Sequence, residues 1–188
     1  MSLADKITIS RIIFIPIFVA FLMYSRVHYY LRHAATAVFI LAMLSDFFDG
    51  LVARIKKEKS EIGTVIDPLA DKLLLLTSFI CLYALRFSLP LSFKLPFGVV
   101  LIVVSRDLII LTGFFILTFL KKEIVIKPSI WGKLTTFFQM GTILAVLTDF
   151  PFSPLVWKLA AVFTIVSGGD YFLTGVRALN AKSNTFAG

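Results

Sequence analysis

Residues 45–73, SDFFDGLVARIKKEKSEIGTVIDPLADKL, place four aspartates between segments that are otherwise apolar. These are Asp46, Asp49, Asp67 and Asp71. A carboxylate at membrane depth is costly, so a group of them is interpreted as functional unless a structural role explains it. The stretch therefore predicts an apolar, helical fold with a polar site inside it.

The whole chain is strongly apolar. Of its 188 residues, 59% are hydrophobic and 16% are charged, and the mean hydropathy is +0.94. A soluble domain has roughly 45–50% apolar residues. We therefore expect an all-α integral membrane protein that forms a single domain over residues 1–188, without a separate soluble domain or a cleaved signal peptide.

The apolar runs predict six transmembrane helices, since a span needs about 20 residues. The predicted spans are residues 7–24, 31–51, 67–85, 96–120, 133–149 and 154–179. Prolines 90, 96, 128, 151 and 154 fall in the connections, where proline begins or ends a helix without breaking it. The six helices are expected to bundle around a polar active site that faces the cytoplasm.

Basic residues set the expected orientation. Lysine and arginine are densest after the second and fourth spans and at both termini, and short basic loops stay on the cytoplasmic side. We therefore expect a multi-pass protein of the cytoplasmic (inner) cell membrane, with both termini and the aspartates at the cytoplasmic face. The net charge of +8 favours contact with anionic membrane lipids over nucleic acid.

The spacing of the aspartates predicts a metal site. Asp46 and Asp49 are three residues apart and Asp67 and Asp71 four apart, so each pair lies on one helix face. If the faces meet, the four charges repel unless cations hold them. An all-oxygen donor set favours Mg²⁺, Mn²⁺ or Ca²⁺ over zinc. Asp67 before Pro68 also fits a helix N-cap, an interpretation that leaves the other pair unexplained.

Three residues near the aspartates fit a phosphate ligand. Gly50 and Gly63 permit close approach of the backbone, and Arg54 is a fixed cation suited to phosphate. Carboxylates, glycines and an arginine together predict a site for a metal-bound diphosphate.

These residues carry a resemblance to the CDP-alcohol phosphotransferase (CDP-alcohol phosphatidyltransferase) family. The pattern that resembles the family motif is Asp46-x2-Asp49-Gly50-x2-Ala53-Arg54-x8-Gly63-x3-Asp67-x3-Asp71. The family is polytopic with six transmembrane helices. This number matches the six predicted spans, so the resemblance is expected to cover the whole chain.

The resemblance implies a reaction and a set of site residues. Members transfer a substituted phosphate from a CDP-linked alcohol to an acceptor hydroxyl and release CMP. Two divalent cations, Mg²⁺ or Mn²⁺, would be held by the four aspartates, with Asp71 also the general base. Gly50, Ala53, Arg54 and Gly63 would line the CDP pocket, and the family suggests a homodimer.

The amino terminus adds two residues to the implied CDP site. Asp5, Thr8 and Arg11 follow the spacing of the family's Asn-x-x-Thr-x-x-Arg pattern, with aspartate in place of asparagine. Thr8 and Arg11 are therefore expected to contact the nucleotide, although helix capping and membrane anchoring also explain them.

Three further cations predict the acceptor site. Arg106 lies midway along the fourth span and needs an anionic partner. Asp107 points about 100° away on a helix, so Asp170 or a substrate anion is an equal candidate. Lys133 and Arg177 would complete a cationic pocket, although both also fit as anchors of cytoplasmic helix ends. Such a pocket suits glycerol 3-phosphate or inositol phosphate better than serine, choline or ethanolamine.

The resemblance favours glycerol 3-phosphate as the acceptor and leaves two alternatives open. The RIIFIPIFV and GKLTTFFQM segments resemble bacterial members that make phosphatidylglycerophosphate from CDP-diacylglycerol and glycerol 3-phosphate. That group usually has Arg-Glu where this chain has Arg106-Asp107. The Arg-Asp pair and residues 128–136 also resemble CMP-forming cardiolipin synthases, whose acceptor is phosphatidylglycerol. Inositol phosphate is the third choice.

A divalent-cation transporter is the alternative from another class, because intramembrane carboxylates also line ion paths. The aspartates, however, cluster at one predicted membrane face. Asp107 and Asp170 alone are too few to continue a path across.

Overall fold

The structure, a computed structural model, describes residues 3–56, 61–119 and 129–183, with side chains placed for 13–45, 72–113, 115, 129–171 and 173. Within these residues the chain is all-helical and has no strand. Its six helices are α1 (Leu3–Tyr24), α2 (Leu31–Lys56), α3 (Glu61–Ala84), α4 (Phe97–Phe119), α5 (Ile130–Leu147) and α6 (Ser153–Ser183). For the described residues, the prediction of an all-α chain with six helices is confirmed.

Local signals explain where the helices begin and end. Pro96 directly precedes α4, as expected of a residue that cannot donate a backbone hydrogen bond. The side chain of Ser129 caps α5 by accepting a hydrogen bond from the backbone nitrogen of Trp131. Asp149 follows α5 with a positive φ of 53°, a left-handed conformation that ends the helix.

The helix-cap interpretation of Asp67 is wrong. Helix α3 begins at Glu61, so Asp67 and Pro68 both lie inside it. Proline removes one hydrogen bond, but helices in apolar bundles tolerate this because neighbouring groups compensate. Helix α2 also continues past the predicted end at residue 51, since an internal glycine costs only about 1 kcal/mol.

Packing divides the bundle into two groups. Helix α1 lies against α2 and α3, α5 lies against α6, and α4 joins the groups by packing on α3 and α6. Phe18, Phe39, Phe79, Val103 and Leu147, from five different helices, are fully buried between them. Van der Waals packing of these side chains stabilises the contact between the helices.

One end of the bundle is fastened by an ion pair. Arg32 at the start of α2 pairs with Asp149 after α5, and it also donates to the hydroxyl of Tyr29 and to the carbonyl of Pro90. Asp149 in turn accepts from the backbone nitrogen of Ser92 at 2.8 Å. This cluster connects α2 to the segments that follow α3 and α5. We call it the Arg32 cluster.

Among the described residues, α5 alone (Ile130–Leu147) is long and apolar enough to cross a membrane by length and composition. Shorter apolar helical segments are Ile13–Tyr24, Leu31–Ser45 and Lys72–Ala84. Large apolar side chains are exposed on all six helices, among them Ile17, Leu41, Ile80, Ile109, Phe137 and Ile165.

Candidate active site

The four aspartates lie on two helices that share a neighbour. Asp46 and Asp49 are in α2, Asp67 and Asp71 are in α3, and both helices pack against α1. Their side chains are outside the described set, so convergence of the carboxylates stays a prediction. Because both helices are continuous through the motif, each pair shares one face by register.

The donor set fits a hard divalent cation. Carboxylate oxygens are the ligands that Mg²⁺ and Mn²⁺ prefer. Among the side chains that the structure describes, none form a group of three or more acids, histidines or cysteines, and the four aspartates are not among them.

The residues expected to bind CDP lie on α1, α2 and α3. Gly50, Ala53 and Arg54 follow Asp46 by four, seven and eight positions in α2, which keeps them near its acidic face by register. Gly63 precedes Asp67 by four positions in α3. Thr8 and Arg11, three positions apart in α1, complete the predicted set. None of these side chains is described.

A cavity of about 520 Å³ opens between α3, α4, α5 and α6. This volume is in the usual range for small-molecule sites. Its polar lining residues are Lys72, Arg106, Ser129, Lys133, Thr136 and Tyr171, and its apolar ones include Ile110, Phe137 and Met140. Lys72 directly follows Asp71 in α3, so the cavity begins one residue from the acidic motif.

Arg106 is held at the cavity wall by three groups. Its Nη1 donates to Asp107 Oδ1 at 2.6 Å and its Nη2 donates to Ser167 Oγ at 2.6 Å. Its guanidinium carbon lies 5.4 Å from the centre of the Tyr171 ring, within cation–π range. Asp107 is therefore the partner of Arg106. Asp170 was an equal candidate in the sequence because neighbouring positions on a helix point about 100° apart. The arginine side chain is long enough to reach its neighbour across that angle.

Asp107 serves two cations at once. Lys72 Nζ donates to the same Oδ1 atom at 2.9 Å. The Asp107 side chain is fully buried, and its Oδ2 has no hydrogen-bond partner in the described part of the chain. A buried carboxylate is costly unless cations such as Lys72 and Arg106 pair with it. As a counter-ion, Asp107 is not a free acid along an ion path, which weakens the transporter alternative.

Small residues let the arginine lie between helices. A Cβ atom on Gly168 of α6 would lie 3.7 Å from Arg106 Cγ. A Cβ atom on Gly132 of α5 would lie 3.4 Å from the Tyr171 hydroxyl and 3.6 Å from Arg106 Nη2. Close approach at small residues is the usual way in which apolar helices pack.

Polar contacts fix α5 against α6 beside the cavity. The Thr135 hydroxyl donates to the carbonyl of Phe163 at 2.8 Å, and Gln139 Nε2 donates to Thr164 Oγ1 at 3.5 Å. All three polar side chains are fully buried. These contacts hold the α5 wall of the cavity, which carries Lys133, in register with α6.

The structure brings part of the predicted acceptor site together. Arg106 and Lys133 line the same cavity, whereas the side chain of Arg177 in α6 is outside the described set. Binding of an acceptor phosphate by these cations stays a prediction. Sequence reasoning missed Lys72 and Tyr171. A lysine inside an otherwise apolar helical run was the available signal for Lys72, and nothing in the sequence singled out Tyr171.

Comparison with known proteins gives a consistent result. The family model described as CDP-alcohol phosphatidyltransferase matches residues 1–167. The CDP-diacylglycerol--glycerol-3-phosphate 3-phosphatidyltransferase of Bacillus subtilis (strain 168) is 32% identical, over 97% of this chain and 99% of that protein. A probable phosphatidylglycerophosphate synthase of Mycobacterium tuberculosis (strain CDC 1551 / Oshkosh) is 32% identical, over 98% of this chain and 86% of that protein.

A third relative shows the same similarity over nearly the whole chain. The CDP-diacylglycerol--glycerol-3-phosphate 3-phosphatidyltransferase of Aquifex aeolicus (strain VF5) is 29% identical, over 95% of this chain and 98% of that protein. The full-length similarity and the family match agree with the aspartate motif on α2 and α3. The chain belongs to the CDP-alcohol phosphatidyltransferase family.

Proposed function

We propose that this chain transfers the phosphatidyl group from CDP-diacylglycerol to glycerol 3-phosphate, giving phosphatidylglycerophosphate and CMP in phospholipid synthesis. Relatives that match nearly the whole chain carry the name of this reaction. One structural observation carries the proposal: a cation-lined cavity begins at Lys72, the residue after Asp71. The position expected for the general base thus adjoins a cavity suited to an anionic acceptor.

The acidic face of α2 and α3 is the proposed donor site. Asp46, Asp49, Asp67 and Asp71 would hold two Mg²⁺ or Mn²⁺ ions. When bound, these ions neutralise a diphosphate and stabilise the charge that develops during displacement. Gly50, Ala53, Arg54, Gly63, Thr8 and Arg11 would receive the CDP group, with the arginines meeting phosphate oxygens.

Charge matching favours a phosphate monoester as acceptor. The described cavity has cations at Lys72, Arg106 and Lys133, and Asp107 offsets one of them, which leaves two positive charges. A phosphate monoester carries about −1.5 to −2 near pH 7. Phosphatidylglycerol is a diester with a single negative charge, so it matches the cavity less well than glycerol 3-phosphate. Arg177 would add to this site if its side chain reaches the cavity.

The proposed reaction is an in-line displacement. The acceptor hydroxyl forms a bond to the phosphorus of the phosphatidyl group, the diphosphate bond breaks, and CMP leaves. Asp71 takes the hydroxyl proton. Lys72, Arg106 and Lys133 would hold the acceptor's own phosphate, so that its free hydroxyl is directed toward Asp71.

The surroundings of this site are proposed to be a lipid bilayer. Large apolar side chains are exposed on all six helices, and α5 has the length and composition of a span. We propose a single multi-pass domain over residues 1–188 in the cytoplasmic membrane, acting as a homodimer with both termini and the site on the cytoplasmic side. The lipid donor would then enter from the bilayer and the soluble acceptor from the cytoplasm.

The test is CMP release by the purified, detergent-solubilised protein with CDP-diacylglycerol and Mg²⁺. Glycerol 3-phosphate, inositol phosphate, phosphatidylglycerol and serine are compared as acceptors. We expect CMP with glycerol 3-phosphate above all others. Preference for phosphatidylglycerol or inositol phosphate would contradict the acceptor, and no CMP with any of them would contradict the reaction. Metal flux across proteoliposomes without CMP formation would support a transporter.

Two matched aspartate variants test the site. Asp71→Asn removes the expected base and should lower the rate by about 100-fold or more. Asp149→Asn makes the same chemical change in the Arg32 cluster, remote in the fold from the acidic motif. We expect this control to lower stability while the folded fraction keeps the wild-type rate. Equal rates for Asp71→Asn and wild type would exclude Asp71 as the base.

A further inference from the structure

The inference concerns Asp107, a residue that does not itself line the cavity. Its Oδ1 accepts from Arg106 Nη1 at 2.6 Å and from Lys72 Nζ at 2.9 Å. Both donors do line the cavity. One buried oxygen therefore connects a cavity cation on α3 with another on α4.

Without this carboxylate, no described contact would hold Arg106 and Lys72 together. Lysine and arginine side chains are long and have several rotatable bonds, and like charges at close range repel. The described contacts would leave Arg106 with Ser167 and the Tyr171 ring, and Lys72 with no ion pair in the described part of the chain. The geometry of the cationic wall thus depends on Asp107.

The pairing of this network is incomplete among the described residues. Asp107 Oδ2 and Arg106 Nε are both buried without a hydrogen-bond partner among the described residues. Unsatisfied buried polar groups are costly and uncommon, and they call for a specific explanation. Apolar side chains of similar volume would fill the same space without that cost.

We propose that Asp107 is a positioning residue for the acceptor: its carboxylate, with Ser167, holds Arg106 and Lys72 in the arrangement that receives the acceptor's phosphate. This inference rests on the proposed function. It adds to that function a residue that contacts neither the substrates nor a metal ion. The carboxylate acts on acceptor binding alone. The residues expected to bind the CDP group lie on α1, α2 and α3 and do not include the members of this network.

The test compares steady-state kinetics of Asp107→Asn with wild type, with each substrate varied in turn. Asparagine keeps the size of the side chain and removes its charge. We expect the KM for glycerol 3-phosphate to rise roughly 10-fold or more, because a buried charge pair loses one partner. The KM for CDP-diacylglycerol should stay within about 2-fold, because the donor site does not include Asp107. Asp107→Glu restores the charge and should recover part of the acceptor affinity.

Two control pairs separate positioning from folding. Asp149→Asn also takes a carboxylate from a buried arginine, and it should lower the unfolding temperature without changing the KM for glycerol 3-phosphate. Ser167→Ala removes the second contact of Arg106 and should raise that KM about 3- to 10-fold. Ser78→Ala is its match and should leave that KM unchanged. The Ser78 hydroxyl is equally buried, and in the described part of the chain it donates to the carbonyl of Leu74 in its own helix.

The outcomes distinguish this inference from the proposed function. If wild type is active and the acceptor KM of Asp107→Asn is unchanged or lower, the inference is overturned while the function stands. If Asp107→Asn does not fold, Ser167→Ala decides, and an unchanged acceptor KM in that variant overturns the inference.

If wild type releases no CMP with glycerol 3-phosphate, the proposed function fails, and binding is then measured as the rise of unfolding temperature with inorganic phosphate. A weaker rise in Asp107→Asn or Ser167→Ala than in wild type supports the positioning role. An equal rise contradicts it.

Discussion

Gly132 gives the sharpest steric prediction of the structure. It lies in the first turn of α5, in the cavity wall, and faces Tyr171 and Arg106. An added Cβ would lie 3.4 Å from the Tyr171 hydroxyl, 3.5 Å from Tyr171 Cε2 and 3.6 Å from Arg106 Nη2. These are ordinary van der Waals distances. Gly132→Ala should therefore fold, gain up to about 1 kcal/mol in helix propensity, and keep the acceptor KM of wild type.

Gly132→Val should behave differently. Its two γ carbons extend about 1.5 Å beyond the Cβ atom, and valine in a helix has one strongly preferred rotamer, so at least one of them meets Tyr171 or Arg106. Overpacking of this kind costs about 1–3 kcal/mol. If the strain is relieved by displacing Arg106, the KM for glycerol 3-phosphate should rise about 5- to 150-fold.

The assay is the initial rate of CMP release against glycerol 3-phosphate concentration, combined with the unfolding temperature. Gly98→Val is the matched control, because an added Cβ at Gly98 of α4 would meet nothing within 4 Å. Its acceptor KM should equal that of wild type. A wild-type KM together with a wild-type unfolding temperature for Gly132→Val would refute the placement of Arg106 and Tyr171 against α5.

Three further predictions concern Lys133, the metal ions and Arg32. Lys133→Gln should raise the KM for glycerol 3-phosphate about 3-fold and make that KM less dependent on salt, because Lys133 is an exposed cation of the cavity and salt screens its attraction for the acceptor. A titration with KCl measures this dependence, and an unchanged salt dependence would argue against contact between Lys133 and the acceptor. Chelation by EDTA should abolish CMP release, and added Mg²⁺ or Mn²⁺ should restore it; activity that persists after chelation would contradict the metal role of the aspartates. Arg32→Gln should destabilise the fold by roughly 3 kcal/mol, since it leaves Asp149 without its ion-pair partner; thermal unfolding measures the loss, and a change in acceptor KM of the folded protein would contradict a purely structural role.

The helices were predictable because apolar runs of the required length are separated by more polar segments, three of which contain proline. The error at α3 has a specific cause. Asp67-Pro68 is a frequent start of a helix, and only the preceding residues, Glu61 to Ile66, show that the helix has already begun. Sequence rules that weigh local signals alone cannot decide between the first turn of a helix and a tolerated internal proline.

The candidate site was predictable in its residue types and only partly in its contacts. The charges of Arg106 and Lys133 inside or beside apolar segments predicted them as site residues, and both line the cavity. The bond from Arg106 to Asp107 was one of three possibilities that the sequence left open, because adjacent residues point in different directions on a helix. The position of Lys72 beside Asp107 depends on how α3 packs against α4, which no local pattern encodes.

The most direct test of the central claim is incorporation of radiolabelled glycerol 3-phosphate into organic-soluble lipid by the purified protein with CDP-diacylglycerol and Mg²⁺. The account predicts one labelled lipid, phosphatidylglycerophosphate, formed in equal amount with CMP by wild type and by Asp149→Asn, and lost in Asp71→Asn. Absence of labelled lipid from folded wild-type protein, or equal labelling by Asp71→Asn, would contradict it.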